Sequence, residues 1–161
     1  MSAATSSGQW TRPPCAARSG GVVELTASHG PPSFSMSLPG APTSVAVARR
    51  DLRQWLVGNG VLDRLLEDVV LCANEAVTNA IEHGYGGGSD GSDAVVQLSV
   101  QLVAGAVLVT VVDHGEWRPA QAGLGVAHGW GLPLIKSISD TMDLTHSAGR
   151  TVLTARLRRG T

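Results

Sequence analysis

From Ser33 the chain alternates. Phe34, Met36 and Leu38 are apolar and serines separate them, the two-residue period of a half-buried strand. Pro39-Gly40 and Pro42 interrupt it. The period then lengthens to that of a helix over 44–57, with Val45, Ala48, Leu52, Trp55 and Leu56 on one face and Thr43 or Ser44 as its cap. Gly58-Asn59-Gly60 ends that helix. A longer one is predicted from Leu62 to His83, with Gly84 as its C-terminal stop. A Gly/Ser/Asp run at 86–93 reads as a flexible turn. Beyond it the period returns to two: Val96, Leu98, Val100 and Leu102 alternate with polar residues, and a turn at Gly105 leads into Val107–Val112, a β-hairpin. Residues 114–130 carry four glycines and read as a long loop. A short helix at 131–139 and strands near 141–146 and 151–158, joined at Ala148-Gly149, complete the order β-α-α-β-β-loop-α-β-β. That order predicts an α+β, two-layer sandwich: a mostly antiparallel sheet with helices on one face.

The first 32 residues lack any sustained period and are rich in Ser, Ala, Gly and Pro, so they read as a disordered tail or linker, with a single folded domain over 33–160. Val22–Leu25 is too short a run to change that, and Trp10 reads as an isolated aromatic. The length of 161 residues suits one domain with its own core. A net charge of −1 gives no bulk attraction to nucleic acid or to a membrane surface. Cys15 and Cys72 have neither metal-site nor disulfide spacing. No apolar run reaches the ~18 residues of a membrane span, and the N-terminus lacks a signal pattern. The expected compartment is the cytoplasm.

Chemistry concentrates in Glu75-Ala-Val-Thr-Asn79-Ala-Ile-Glu-His83-Gly-Tyr85. At about 100° per residue, Glu75, Asn79 and His83 fall at about 0°, 40° and 80° around the helix. Asp68 and Glu82 lie near the same stripe, and Val69, Ala73, Ala76, Val77 and Ala80 lie opposite. Two readings stand. The stripe is the solvated face of an amphipathic helix; or Asn79 offers an amide oxygen to Mg²⁺, which takes few protein ligands, and Glu75 acts on a nucleophile one turn away. His83 at the helix end reads first as a partner of the last carbonyls.

Three further elements follow. Asp113 closes the hairpin, a costly place for an unpaired charge, and Gly115 two residues on permits close approach of a flat ligand to the backbone; a plain Asp-x-Gly turn is the alternative. Gly129-Trp130-Gly131-Leu132, with Pro133 in the first turn, leads into a helix N-terminus suited to phosphate oxygens, or forms an ordinary junction. Gly149-Arg150-Thr151 is a turn that sets a hydroxyl at the start of the last strand.

In this order the four elements resemble the ATP-binding fold of the GHKL superfamily (the Bergerat fold of gyrase, Hsp90, histidine kinases and MutL). EAVTNAIEHGY, VVDHGEWRP and GWGLPLIKSISD are most similar to its anti-sigma-factor branch of serine-protein kinases, over about residues 33–158. The resemblance implies Glu75 as catalytic base and Asn79 as Mg²⁺ ligand. It implies Asp113, Gly115 and Thr151 at the adenine and Gly129 and Gly131 at the phosphates under a lid, with His83, His128 and Leu132 also among the nucleotide-binding residues. The implied reaction transfers the γ-phosphoryl group of ATP to a serine of an anti-anti-sigma (STAS-type) protein; the implied partners are that protein and a sigma factor, with homodimers common. Two positions depart from the family pattern: Trp117 replaces the second glycine after Asp113, and Ala127-His128 stands where relatives often carry Arg. Arg49, Arg50 and Arg53 form a solvated face or a partner surface. A binding module that controls its partner without catalysis is the alternative function. A histidine-kinase reading would need a phospho-acceptor helix, and His29 lies in a Pro/Gly-rich stretch instead.

Overall fold

The computed structural model describes residues 30–84, 94–115 and 131–158. Strand β1 (Ser33–Pro39) is followed by helices α1 (Thr43–Gly58) and α2 (Asp63–Asn79), a π-helical turn (Ala80–Gly84), strands β2 (Val95–Val103) and β3 (Ala106–Asp113), helix α3 (Gly131–Ile138) and strands β4 (Thr141–Ser147) and β5 (Arg150–Arg158). The strands form one sheet in the order β1-β2-β3-β5-β4, and every neighbouring pair is antiparallel. β5 is inserted between β3 and β4, so the end of β3 and the beginning of β5 meet in the middle of the sheet.

Strict alternation decides which face is covered. Phe34, Met36 and Leu38 of β1, Val96, Leu98 and Val100 of β2, Val107, Val109 and Val111 of β3, and Leu153, Ala155 and Leu157 of β5 are all buried beneath the helices. From above, Ala48, Leu52 and Leu56 of α1, Val69, Cys72, Ala73, Ala76 and Val77 of α2 and Ile135 of α3 close the same core. Phe34 packs on Trp55 at 5.7 Å between ring centroids, tying β1 to α1. Truncating a fully buried residue such as Leu52 or Leu98 would cost about 2–5 kcal/mol. Burial also lifts the Cys72 thiol to about 12, which makes it an inert core residue.

Several local expectations need correction. Neither Thr43 nor Ser44 caps α1: Pro42 holds the N-cap position, and the Ser44 hydroxyl instead donates to the Pro39 carbonyl at 2.7 Å, fastening α1 to the end of β1. The long helix stops at Gly84 as expected, but its last turn, Ala80–Gly84, widens into a π-turn and Gly84 has no positive φ. On the α1–α2 surface Arg53 makes a two-point contact with Glu67, with bonds of 2.9 and 2.5 Å between exposed groups, a kind of pair that contributes little in water. Among the described residues no helix is long and apolar enough to cross a membrane.

Candidate functional site

A cleft of about 350 Å³, counting its open mouth, lies between the C-terminal part of α2 and the sheet. Its floor comes from three strands. The register aligns Asp113 of β3 with Thr151 of β5, and Thr151 with His146 of β4. Val111, Leu153 and Leu144 lie alongside on the same face, and Ala76, Asn79, Ala80 and His83 form the helical wall, with Leu132 of α3 at one end. Ala76 and Ala80, expected only in the core, have a second role. At the margin between helix and sheet their small side chains leave room that a leucine would fill.

Asp113 is only 4% exposed. The Gly115 amide donates to its Oδ1 at 3.1 Å, and the Thr151 hydroxyl donates to its carboxyl. Burial nevertheless prevails and raises the Asp113 pKa; these two donors, and the nearby His114 and His146, pull it only part of the way back. An ionised carboxylate has about four acceptor positions, so this one keeps acceptor capacity facing the cleft. A buried acid with a raised pKa in a cleft is a physical mark of a functional site.

Two glycines make that placement possible. A Cβ on Gly84 would lie 2.8 Å from Asp113 Oδ1, and one on Gly115 would overlap the Gly84 carbonyl. The π-turn and the end of β3 are therefore in backbone contact. Gly115 packs against Gly84 rather than lining the cleft, so the close approach foreseen for a ligand is made by another strand of backbone.

The opposite end is built by α2 and the start of α3. A Cβ on Gly131 would sit 2.8 Å from Asn79 Nδ2, 2.9 Å from Asn79 Oδ1 and 3.2 Å from Glu75 Oε2. Glu75 and Asn79 thus converge on the first residue of α3, where any Cβ would force the ends of their side chains to shift. Asn79 Nδ2 is buried and finds no hydrogen-bond partner among the described residues, an expensive state unless a ligand completes it. Asp68 and Glu82, placed on the same stripe by helical spacing, stay outside: Asp68 lies 3.4 Å from Arg64 on the surface and Glu82 is exposed. Among the described residues no three His, Cys, Asp or Glu side chains converge as a metal cage. One amide oxygen beside one carboxylate suits Mg²⁺, which retains most of its water and phosphate ligands.

Of the predicted site residues, Asn79, His83, Asp113, Leu132 and Thr151 line the cleft, and Glu75 and Gly131 adjoin it through Asn79. His128 and Gly129 lie outside the described residues. Sequence reading missed Gly84 as a point of close approach, and it missed Leu144 and His146. Alternation along β4 could have put those two on the inner face, but not beside Thr151, since that depends on the register of a neighbouring strand.

Residues 38–157 match the family described as the histidine kinase-like ATPase domain. The serine-protein kinase RsbW of Bacillus pumilus is 28% identical over 133 residues, covering 74% of this chain and 82% of that protein. The RsbW of Oceanobacillus iheyensis is 24% identical, covering 72% and 80%. Among solved structures, that of the RsbU and RsbW domains of Rv1364c from Mycobacterium tuberculosis superposes with a TM-score of 0.63 at 27% identity over 79% of this chain; the chain spans 32% of that longer protein. The SiaB–SiaC complex of Pseudomonas aeruginosa, at 16% identity and a TM-score of 0.56 over 76% of this chain and 88% of that one, shares the fold.

Proposed function

The chain belongs to the histidine kinase-like ATPase domain family, and from that premise we propose that it is an ATP-binding anti-sigma factor with serine-protein kinase activity. In this reading it transfers the γ-phosphoryl group of ATP to a serine of an anti-anti-sigma, STAS-type protein and sequesters a sigma factor. Relatives named as serine-protein kinases support the activity. The observation that carries it is the convergence of Glu75 and Asn79 on the glycine that opens α3, at one end of a cleft whose other end holds a buried carboxylate.

Asp113 accepts a hydrogen bond from the exocyclic amine of adenine, and Thr151 lies beside it. Val111, Leu144 and Leu153 give the ring an apolar floor, and His83 stands at its edge. Asn79 would hold Mg²⁺ through its amide oxygen, and the ion supplies charge neutralisation for the phosphates. Gly131 brings the N-terminus of α3 close to the phosphates, with His128 and Gly129 assigned to the same end. Glu75 accepts the proton of the attacking serine hydroxyl. Such a transfer needs positioning and electrostatic stabilisation more than covalent help from the protein. The same reading places the protein in the cytoplasm and accommodates a homodimer.

The test is incubation with labelled ATP, Mg²⁺ and the STAS-type partner. Label should appear on a partner serine and vanish in Glu75→Ala while ATP binding persists. Equal labelling by both proteins would remove Glu75 as the base. ATP binding without any labelling would favour control by binding alone.

A further inference from the structure

Asp113, Thr151 and His146 occupy consecutive places in one row across β3, β5 and β4. His146 Nδ1 lies 3.0 Å from Thr151 Oγ1. The Thr151 side chain is buried and has a single hydroxyl proton to give. If that proton goes to Asp113, the Thr151 oxygen must accept from its other neighbour, which requires a proton on His146 Nδ1. If His146 Nδ1 is bare, Thr151 turns toward the imidazole and Asp113 loses a donor. The two hydrogen bonds are therefore coupled through one rotor.

We propose that His146 is a positioning residue for purine recognition. By donating from Nδ1 to Thr151 it fixes the Thr151 hydroxyl on Asp113 and keeps that carboxylate an acceptor, which selects a 6-amino purine over a 6-oxo purine. This rests on the nucleotide reading above and deepens it. A carboxylate that only accepts pairs with the amine of adenine and repels the carbonyl of hypoxanthine. A protonated carboxyl would donate to that carbonyl and abolish the distinction. Asp113 needs the help because it is buried, and the Gly115 amide is a second donor to it among the described residues. Other titratable groups on the surrounding elements include Glu75 on α2, Glu82 and His83 on the π-turn, His114 after β3, Lys136 on α3, Asp143 on β4 and Arg150 and Arg156 on β5; none of them occupies the row.

The experiment compares ATP and ITP binding to the full chain by calorimetry in wild type, His146→Ala and His146→Asn, and follows the Asp113 carboxyl carbon by NMR through a pH titration without nucleotide. His146 is exposed, so its replacement should not disturb folding. Loss of one hydrogen bond predicts about fivefold weaker ATP binding in His146→Ala, with ITP binding unchanged or stronger. His146→Asn, which offers an amide N–H near the Nδ1 position, should restore the preference. Without nucleotide, Asp113 should titrate at higher pH in His146→Ala than in wild type. Equal losses for ATP and ITP, or an unchanged Asp113 titration, would overturn the proposal. If Asp113→Ala binds ATP as wild type does, the nucleotide reading falls instead, and the carboxyl titration still decides whether His146 controls Asp113.

Discussion

The two ends of the cleft are built in opposite ways. At the Asp113 end, three strands in fixed register and two glycines in backbone contact hold a carboxylate that is almost wholly buried. Folding has already desolvated that group, so its geometry cannot relax without moving the sheet. At the Glu75 end, two side chains one helical turn apart face a single glycine, and one of their polar atoms lacks a partner among the described residues. The first arrangement suits recognition, which gains from rigidity. The second suits chemistry on a charged group, since it leaves hydrogen-bonding capacity unspent for a ligand. Variants at the two ends should therefore separate binding from transfer.

The largest effect belongs to Glu75. Replacing it with Gln should lower phosphoryl transfer to the partner by about 10²–10⁴-fold, the usual contribution of a general base, and leave the ATP dissociation constant within about twofold. A parallel loss of affinity would mean that the two ends are not separable. Next is Asp113→Ala, expected to weaken ATP binding by about tenfold or more through loss of a charged acceptor, read by calorimetry. Weaker binding of ATP with unchanged binding of the triphosphate moiety alone would sharpen the contrast.

Gly84→Ala comes third. Its Cβ would be driven into Asp113 Oδ1 on a segment anchored to the sheet, so the fold should lose about 1–3 kcal/mol in denaturant unfolding and nucleotide binding should suffer with it. Gly131→Ala should instead spare stability and weaken Mg-dependent binding, since the crowded atoms belong to the Asn79 and Glu75 side chains.

The pH dependence of stability tests the buried end alone. Burial raises the Asp113 pKa in the folded state, so the folded protein binds this proton more tightly than the unfolded chain does. Its contribution is most favourable below the unfolded carboxylate pKa and declines as pH rises toward the folded pKa. Asp113→Asn removes the ionisation, so its melting temperature relative to wild type should climb across that window and level off above it. A difference independent of pH would show that ionisation of Asp113 carries no penalty.

The smallest effect lies outside the cleft. Ala148 and Gly149 both have positive φ, 51° and 69°, at the β4–β5 turn. An alanine in that conformation costs about 1 kcal/mol, so Ala148→Gly should raise stability by about that amount in thermal unfolding without altering nucleotide affinity.

The element order and the sandwich were legible because periodicity is a local property. A serine-spaced strand, an amphipathic helix and a valine-rich hairpin each carry their own signal within a few residues, and the glycines and prolines mark the joins. The spacing Glu75–Asn79–His83 was legible for the same reason, since a regular helix fixes those angles. Ser44, read as a helix cap, failed as a local signal because the nearby Pro39 carbonyl competed for its hydroxyl.

What the sequence determined by itself is the repertoire: which segments are strands or helices, which face each buries, and which side chains carry charge. Tertiary structure alone decided the neighbours. Inserting β5 between β3 and β4 sets Asp113, Thr151 and His146 side by side, and Gly84 meets Asp113 only because a π-turn and a strand end, far apart along the chain, come together. Such contacts depend on strand register and on the packing of distant backbone, and no periodicity within a single segment encodes either.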